Sequence, residues 1–245
     1  MIKEAVILTI GNEILTGEIT DTNSGWVAKR LFNLGVDLKF VAIIPDDLKF
    51  IANLVNEYRK KFDYIITLGG LGPTPDDVTK PAIAKALNLK LVENLIAANL
   101  IKNYHKNNNE EITKNTLSMA IFPENVELIY TSNKEWAIGM KLENIFSFPG
   151  SPSLLKDMFP TIEHYFKGDK IYKSKLSVNC GETIFSDIMQ DITDKFIEVD
   201  IGSYPSEDFR SSKLIFRSRN IGQINECKEL FFTKLSNRFP DLQIT

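Results

Sequence analysis

From residue 5 to about 166, short apolar runs alternate with stretches in which apolar residues recur every three or four positions. Residues 5–10 (AVILTI) and 64–68 (YIITL) read as strands buried on both faces, because nearly every side chain is apolar rather than every second one. Trp26, Val27, Leu31 and Leu34 share one face of a helix that starts near Asp21 or Thr22 and stops at Gly35. Residues 36–44 form the next strand. Asp47 caps a helix whose inner face carries Leu48, Ile51, Ala52, Val55 and Tyr58. The order β-α-β-α-β predicts a wound, mostly parallel sheet in a three-layer α/β/α domain. Residues 94–109 and 112–120 read as two helices forming an excursion from the sheet, a lid or an oligomer contact. Residues 137–142 and 145–148 return to strand character, and the turn at Pro149-Gly150-Ser151-Pro152 opens a helix from about 153 to 165.

The alternation ends near Gly168-Asp169, which divides the chain into domains 1–168 and 169–245. Beyond that point a strand (173–178), a helix (182–196), two strands (199–204 and 213–218) and a helix (224–239) predict a small α+β domain.

Composition narrows the function classes. Among 245 residues, 43% are hydrophobic and 25% charged, with a formal charge of -3. That is an ordinary globular composition with no global attraction for nucleic acid or an anionic membrane. No apolar run approaches the ~18 residues of a membrane span, and no signal-peptide pattern opens the chain, so the expected location is cytoplasmic. Cys180 and Cys227 lack zinc spacing and are expected to be two buried thiols, with a lone disulfide as the alternative.

The chemistry concentrates in residues 69–80, GGLGPTPDDVTK. Gly69, Gly70 and Gly72 follow a strand directly and let the backbone approach a ligand, while Thr79, with Pro81 after it, reads as the N-cap of a helix. The N–H groups of Gly70, Leu71 and Gly72, with the hydroxyls of Thr74 and Thr79, form a candidate phosphate cradle. Asp76 and Asp77 would repel a phosphate unless a hard divalent cation such as Mg²⁺, or Mn²⁺ or Co²⁺, bridged them to it. Taken singly, these glycines and aspartates also suit a tight turn and a helix dipole. The segment is neither a Walker A loop nor G-x-G-x-x-G. Lys80 adds a positive charge to the site or sits in solvent at the helix start. His105 and His164 lack ligand-spaced partners, Ser151 lacks a nucleophile elbow, and Trp136 packs or stacks on a ligand ring.

Four segments in order, Gly11-Asn12-Glu13-Ile14-Leu15-Thr16-Gly17, Asp21-Thr22-Asn23, the glycine segment and Pro149-Gly150-Ser151-Pro152, resemble the CinA family, competence/damage-inducible protein A. The resemblance covers about residues 4–166 and implies a molybdopterin-binding domain of the molybdenum-cofactor-biosynthesis type. The remainder resembles the small KH-like module of the same family, in a short form lacking the deamidase domain of long members. It implies metal-dependent pyrophosphate hydrolysis of ADP-ribose-like or FAD-like dinucleotides; the alternative is binding of molybdopterin or a nucleotide without turnover. It further implies Asp77, Asp76 and Asp46 as catalytic residues, with Asp77, Asp76 and Glu13 as metal ligands. Gly69, Gly70, Leu71, Gly72, Thr74, Thr79, Asn23, Gly150 and Ser151 would hold the substrate, and the protein would form a homo-oligomer, a dimer first. The family stretch Asn-x-x-Gly-x-Ala-Pro-Gly survives only as Asn133, Ala137 and Gly139, with Glu135 and Ile138 in place of glycine and proline. No G-x-x-G occurs between 170 and 245, so nucleic-acid binding through a KH clamp is the weakest reading.

Overall fold

The computed structural model describes residues 2–134 and 138–244; Glu135, Trp136 and Ala137, and with them the stacking role considered for Trp136, lie outside the described residues. The chain divides into two compact units, Met1–Gly168 and Asp169–Thr245.

The first unit begins with β1 (Lys3–Ile10), α1 (Asn12–Leu15), α2 (Asn23–Asn33), β2 (Val36–Ile44), α3 (Leu48–Tyr58), β3 (Tyr64–Leu68) and α4 (Thr79–Leu87). It continues through β4 (Leu91–Glu93), α5 (Leu95–Asn107), α6 (Lys114–Ser118), β5 (Ile121–Pro123), β6 (Glu127–Ile129), β7 (Gly139–Leu142), β8 (Ile145–Phe148) and α7 (Pro152–Ile162). Six strands make the main sheet in the order β2-β1-β3-β8-β7-β6. Neighbours among β2, β1, β3 and β8 run parallel, whereas the β8–β7 and β7–β6 pairs are antiparallel.

Alternation along β1 shows why its sequence is apolar throughout. Val6, Leu8 and Ile10 enter one core with Ile51 and Val55 of α3, Ile83 of α4 and Ile101 of α5. Ala5 and Ile7 enter a second core on the opposite face with Val27 and Leu31 of α2 and Leu155 and Phe159 of α7. Helices therefore cover both faces, as a three-layer fold requires.

Helix α1 and strands β4, β5 and β6 are not legible in the hydrophobic pattern. Helix α1 spans a single turn and is held from outside itself, because Asn12 N–H donates to Asp46 Oδ2 at 2.8 Å. Strands β4 and β5 pair only with each other in a separate two-stranded ribbon. At three residues each they are too short for a periodicity to appear.

The second unit contains β9 (Tyr172–Val178), α8 (Ser186–Lys195), β10 (Asp200–Pro205), β11 (Ser212–Ser218) and α9 (Ile221–Arg238). Its antiparallel sheet has the order β10-β11-β9. Leu176, Leu214 and Phe216 pack with Ile188 and Ile192 of α8 and Phe231 and Leu235 of α9 in a core of their own. Both cysteines are free; Cys227 is buried as expected, but Cys180 is only half-buried. No helix among the described residues is long and apolar enough to cross a membrane.

Candidate functional site

β2 and β3 flank β1 on opposite sides, so the chain reverses its direction of sheet growth between β1 and β3. Such a switch point leaves a crevice beyond the strand carboxyl ends. There a cleft of about 440 Å³ is lined by Ile10-Gly11 after β1, Asp46 after β2, Leu68 to Gly72 after β3, and Pro149-Gly150 after β8.

The glycine turn fits only because two positions lack a side chain. Gly69 has φ 106°, and a Cβ there would lie 2.2 Å from the Ile10 carbonyl oxygen. At Gly70, with φ 67°, a Cβ would meet Thr79 Oγ1 at the same distance. The close approach lets Gly69 N–H donate to the Phe148 carbonyl at 2.9 Å, joining the loop to the end of β8.

Of the residues singled out in the sequence, Glu13, Asp46, Asp76, Asp77, Asn23, Gly69, Gly70, Leu71, Gly72 and Gly150 line this one cleft, and Thr74, Thr79 and Ser151 do not. Thr79 is not an N-cap. It is the first helical residue after Val78, fully buried, with Oγ1 donating to the Gly69 carbonyl at 2.9 Å and its N–H donating to the Gly70 carbonyl at 3.1 Å. It pins the loop and has no donor left for a phosphate. Ser151 Oγ lies 3.0 Å from Ser153 Oγ, within the start of α7.

Asp77 ties the loop together. Its Oδ1 accepts from Gly72 N–H at 2.7 Å, and its Oδ2 accepts from Thr74 N–H at 2.8 Å and from the Thr74 hydroxyl. These bonds occupy the Gly72 and Thr74 donors, so of the N–H groups expected to hold phosphate only those of Gly70 and Leu71 are unpaired among the described residues. The exposed Asp76 carboxyl, beside the Thr74 hydroxyl and its own backbone N–H, is held below the usual carboxylate range. Asp46 keeps Oδ1 unpaired among the described residues while Oδ2 takes the Asn12 N–H.

Asp21 is the site residue that the sequence pattern presents only as a helix signal. It lines the cleft, and its Oδ1 accepts from Asn23 N–H at 2.9 Å and Ser24 N–H at 3.0 Å, so it caps α2 from outside the helix. Burial pushes its pKa up, but hydrogen bonds from Ser24, Thr9 and Asn23 outweigh that and hold the carboxyl below its ordinary value. Asn23 is turned by its Nδ2, which donates to the Gly150 carbonyl at 2.7 Å and so links α2 to the turn before α7.

Lys80 is neither solvated nor in the cleft. It is 5% exposed, with Nζ donating to the Met119 carbonyl at 3.0 Å and lying 4.7 Å from the centre of the Phe122 ring. Burial lowers its pKa to about 8 against the opposing pull of the Asp77 carboxylate.

Five carboxylates (Glu13, Asp21, Asp46, Asp76 and Asp77) therefore line one cleft, whose lining among the described residues includes no lysine, arginine or histidine. Among the described residues no three His, Cys, Asp or Glu side chains converge closely enough to hold a metal ion, so Asp77, Asp76 and Glu13 are neighbours rather than a finished centre. The donor set nonetheless suits a hard cation. Mg²⁺ is commonly held by one or two carboxylates, with substrate phosphates and water completing its shell, and does not need an all-protein cage.

Residues 6–167 match the family described as "Probable molybdopterin binding domain", and residues 170–241 match "FAD synthase, middle domain". A protein of Archaeoglobus fulgidus is 32% identical over 96% of this chain and 99% of its own length. A CinA-like protein of Thermosipho melanesiensis is 31% identical over 96% of this chain, which spans 59% of that relative's length. The crystal structure of the protein CinA from Thermoplasma acidophilum superimposes with a TM-score of 0.60 at 26% identity, covering 67% of this chain and 98% of the other.

Proposed function

Since the chain belongs to the family of the molybdopterin-binding domain and is related to CinA-like proteins, we propose that its cleft hydrolyses the pyrophosphate of ADP-ribose-like or FAD-like dinucleotides with the help of a divalent cation. The observation that carries this reading is that the charged residues lining the cleft are all carboxylates. An anionic pyrophosphate is repelled by five carboxylates unless a cation enters with it, and the oxygen donors select a hard one. Glu13 and Asp76 would hold the cation, which would spread the charge developing on the phosphate oxygens. The match of residues 170–241 to a FAD synthase domain supports a nucleotide as the ligand class.

The protein's own groups supply the rest. The N–H groups of Gly70 and Leu71, unpaired among the described residues, would donate to non-bridging oxygens in the manner of an oxyanion hole. Asp46, anchored through Oδ2 to Asn12 N–H, offers Oδ1 to take a proton from water as its oxygen attacks one phosphorus. The P–O bond to the bridging oxygen breaks, and the leaving phosphate carries away that oxygen and its electron pair, giving two monophosphates. Asp77 organises the loop, its oxygens accepting from Gly72 and Thr74, and the acceptor capacity left on the carboxylate makes it a further ligand for the cation beside Glu13 and Asp76.

The test is to incubate the protein with ADP-ribose or FAD in the presence of Mg²⁺, Mn²⁺ or Co²⁺ and follow release of nucleoside monophosphate. Asp46→Asn should lower kcat by about 10²-fold or more, the usual contribution of a general base. Glu13→Gln should raise the cation concentration needed for half-maximal rate. Turnover that is undiminished in both variants would place the reaction elsewhere.

A second reading rests on the same acids: carboxylates also accept hydrogen bonds from the ring N–H and amino groups of a pterin. Tight molybdopterin binding without cleavage in any of the three metals would favour it.

A further inference from the structure

The antiparallel sheet of the second unit has one face covered by α8 and α9 and one face open. Leu176 and Val178 of β9, Leu214 and Phe216 of β11 and Ile201 of β10 turn toward the helices. Alternate residues point the other way, and the register sets them side by side: Lys173 opposite Arg217, Arg217 opposite Asp200, Lys175 opposite Ile215, and Lys213 opposite Tyr204. Lys173, Lys175 and Lys213 are exposed. Four cations thus share a face with one acid, and Asp200 is already paired with Arg217 at 2.7 Å. Among the described residues none of the three lysines has an acidic partner within salt-bridge distance.

The cations repel one another. Burial lowers the Lys173 amine, and Arg217, Lys175 and Lys213 lower it further. A surface that gathers unpaired like charges is less stable alone than with a polyanion laid on it.

Tyr204 gives the face a second feature. Arg217 Nη2 donates to its hydroxyl at 2.8 Å. Its ring lies against Gly202, where a Cβ would come within 2.9 Å of Cε2. Glycine at that position leaves room for the ring on the sheet, and the guanidinium fixes it there, 47% exposed.

We propose that this open face binds single-stranded nucleic acid, the lysines and Arg217 tracking the phosphates and Tyr204 stacking on a base. Charge complementarity selects a polyanion, and a tethered aromatic within a cationic surface selects one that carries unpaired rings. A broad three-stranded sheet does not enter a duplex groove, which admits a helix or a two-stranded ribbon. The apolar side chain on this face, Ile215, is buried, so nothing is presented for insertion into a lipid surface. The absence of G-x-x-G excludes the loop clamp of a KH domain but has no bearing on a sheet face.

The test is fluorescence anisotropy of the full chain with labelled 16-nucleotide oligo(U) and oligo(dT), from 25 to 200 mM salt, probe choices at about the site size of single-strand binders. Lys173→Gln/Lys175→Gln/Lys213→Gln should weaken binding more than tenfold and flatten the log–log salt slope by about 2, at ~0.7 per lost phosphate contact. Tyr204→Ala should weaken it at least about fivefold, the lower bound for one stacked base. Lys234→Gln on α9, whose partner is Asp191, should change nothing. Circular dichroism melting of each variant reads whether the fold is kept. The proposal is overturned by no salt-dependent binding at 25 mM, by Tyr204→Ala binding as well as wild type, or by Lys234→Gln weakening binding as much as the triple variant. Displacement by polyglutamate or phosphatidylserine vesicles at equal charge concentration would equally overturn it, because general polyanion attraction would then account for the result.

Discussion

Lys80 is a lysine that the fold buries at a cost. Its ammonium has one carbonyl and one ring face in place of water, and its pKa falls from 10.5 to about 8. A lysine with a folded pKa below its unfolded one binds fewer protons in the native state, so stability rises with pH between about 8 and 10.5. Between pH 7 and pH 10 this single group should add about 2 kcal/mol. Lys80→Met keeps the packing over Phe122 and removes the titration. Urea unfolding of both proteins at the two pH values should therefore show the wild type gaining on the variant by that amount; a difference that stays constant with pH would mean the amine is not desolvated. The sequence pattern misplaces Lys80 because a lysine one residue past a helix start is usually solvated. The segment that covers it, Met119 to Phe122, lies some forty positions away and carries no local sign of the contact. Asp76 and Asp77 are legible because a carboxylate pair follows a glycine turn directly, whereas Glu13 and Asp46 are legible only through the family resemblance. Their hydrogen-bond partners are not, because the bonds from Gly72 and Thr74 to Asp77 depend on how the loop closes and not on any spacing in the sequence.

At the scale of elements, the loop after β3 concentrates the demand for glycine. Two positive-φ glycines of the first unit allow a controlled comparison. Gly17 has φ 79° with nothing within 4 Å of the place a Cβ would take, whereas Gly69 has φ 106° and the Ile10 carbonyl oxygen 2.2 Å away. Gly17→Ala should cost about 1 kcal/mol, the left-handed penalty alone. Gly69→Ala should cost about 3 kcal/mol or more, because backbone strain is joined by a clash with β1 that neither strand can relieve. Equal losses in denaturant midpoint would show that β1 and β3 approach each other less closely than these distances require. Asp77→Asn belongs to the same element. An amide cannot accept from Gly72 and Thr74 with both ends, so that variant should lose loop order as well as rate, visible as faster amide exchange at Gly72 and Thr74. Strands and helices of the wound sheet are readable from period and caps: Asp47, for example, does cap α3 by accepting from Phe50 N–H at 2.7 Å. The β4–β5 ribbon and α1 are not, since both depend on pairing with distant residues instead of on a repeat.

For the whole molecule, the distribution of buried residues matters more than any one contact. Two cores lie on the faces of the main sheet, and every residue in them falls at or before Phe166; the third core begins at Leu176 and draws only on the second unit. Cooperative unfolding follows shared cores, so each unit should melt as its own transition. A 77-residue domain buries a smaller share of its surface than one of 168 residues, and it should be the weaker of the two. Separate expression of residues 1–168 and 169–245 tests this directly: the larger fragment should keep its cleft and any hydrolytic activity, and the smaller should unfold at lower denaturant. If the nucleic-acid face proposed for the second unit is self-contained, the 169–245 fragment should also bind oligo(U) wherever it is folded, because every cation and the tyrosine invoked lie on β9, β10 and β11. A single calorimetric transition in the full chain, with neither fragment folded alone, would contradict the independence of the cores and require that the two units stabilise each other.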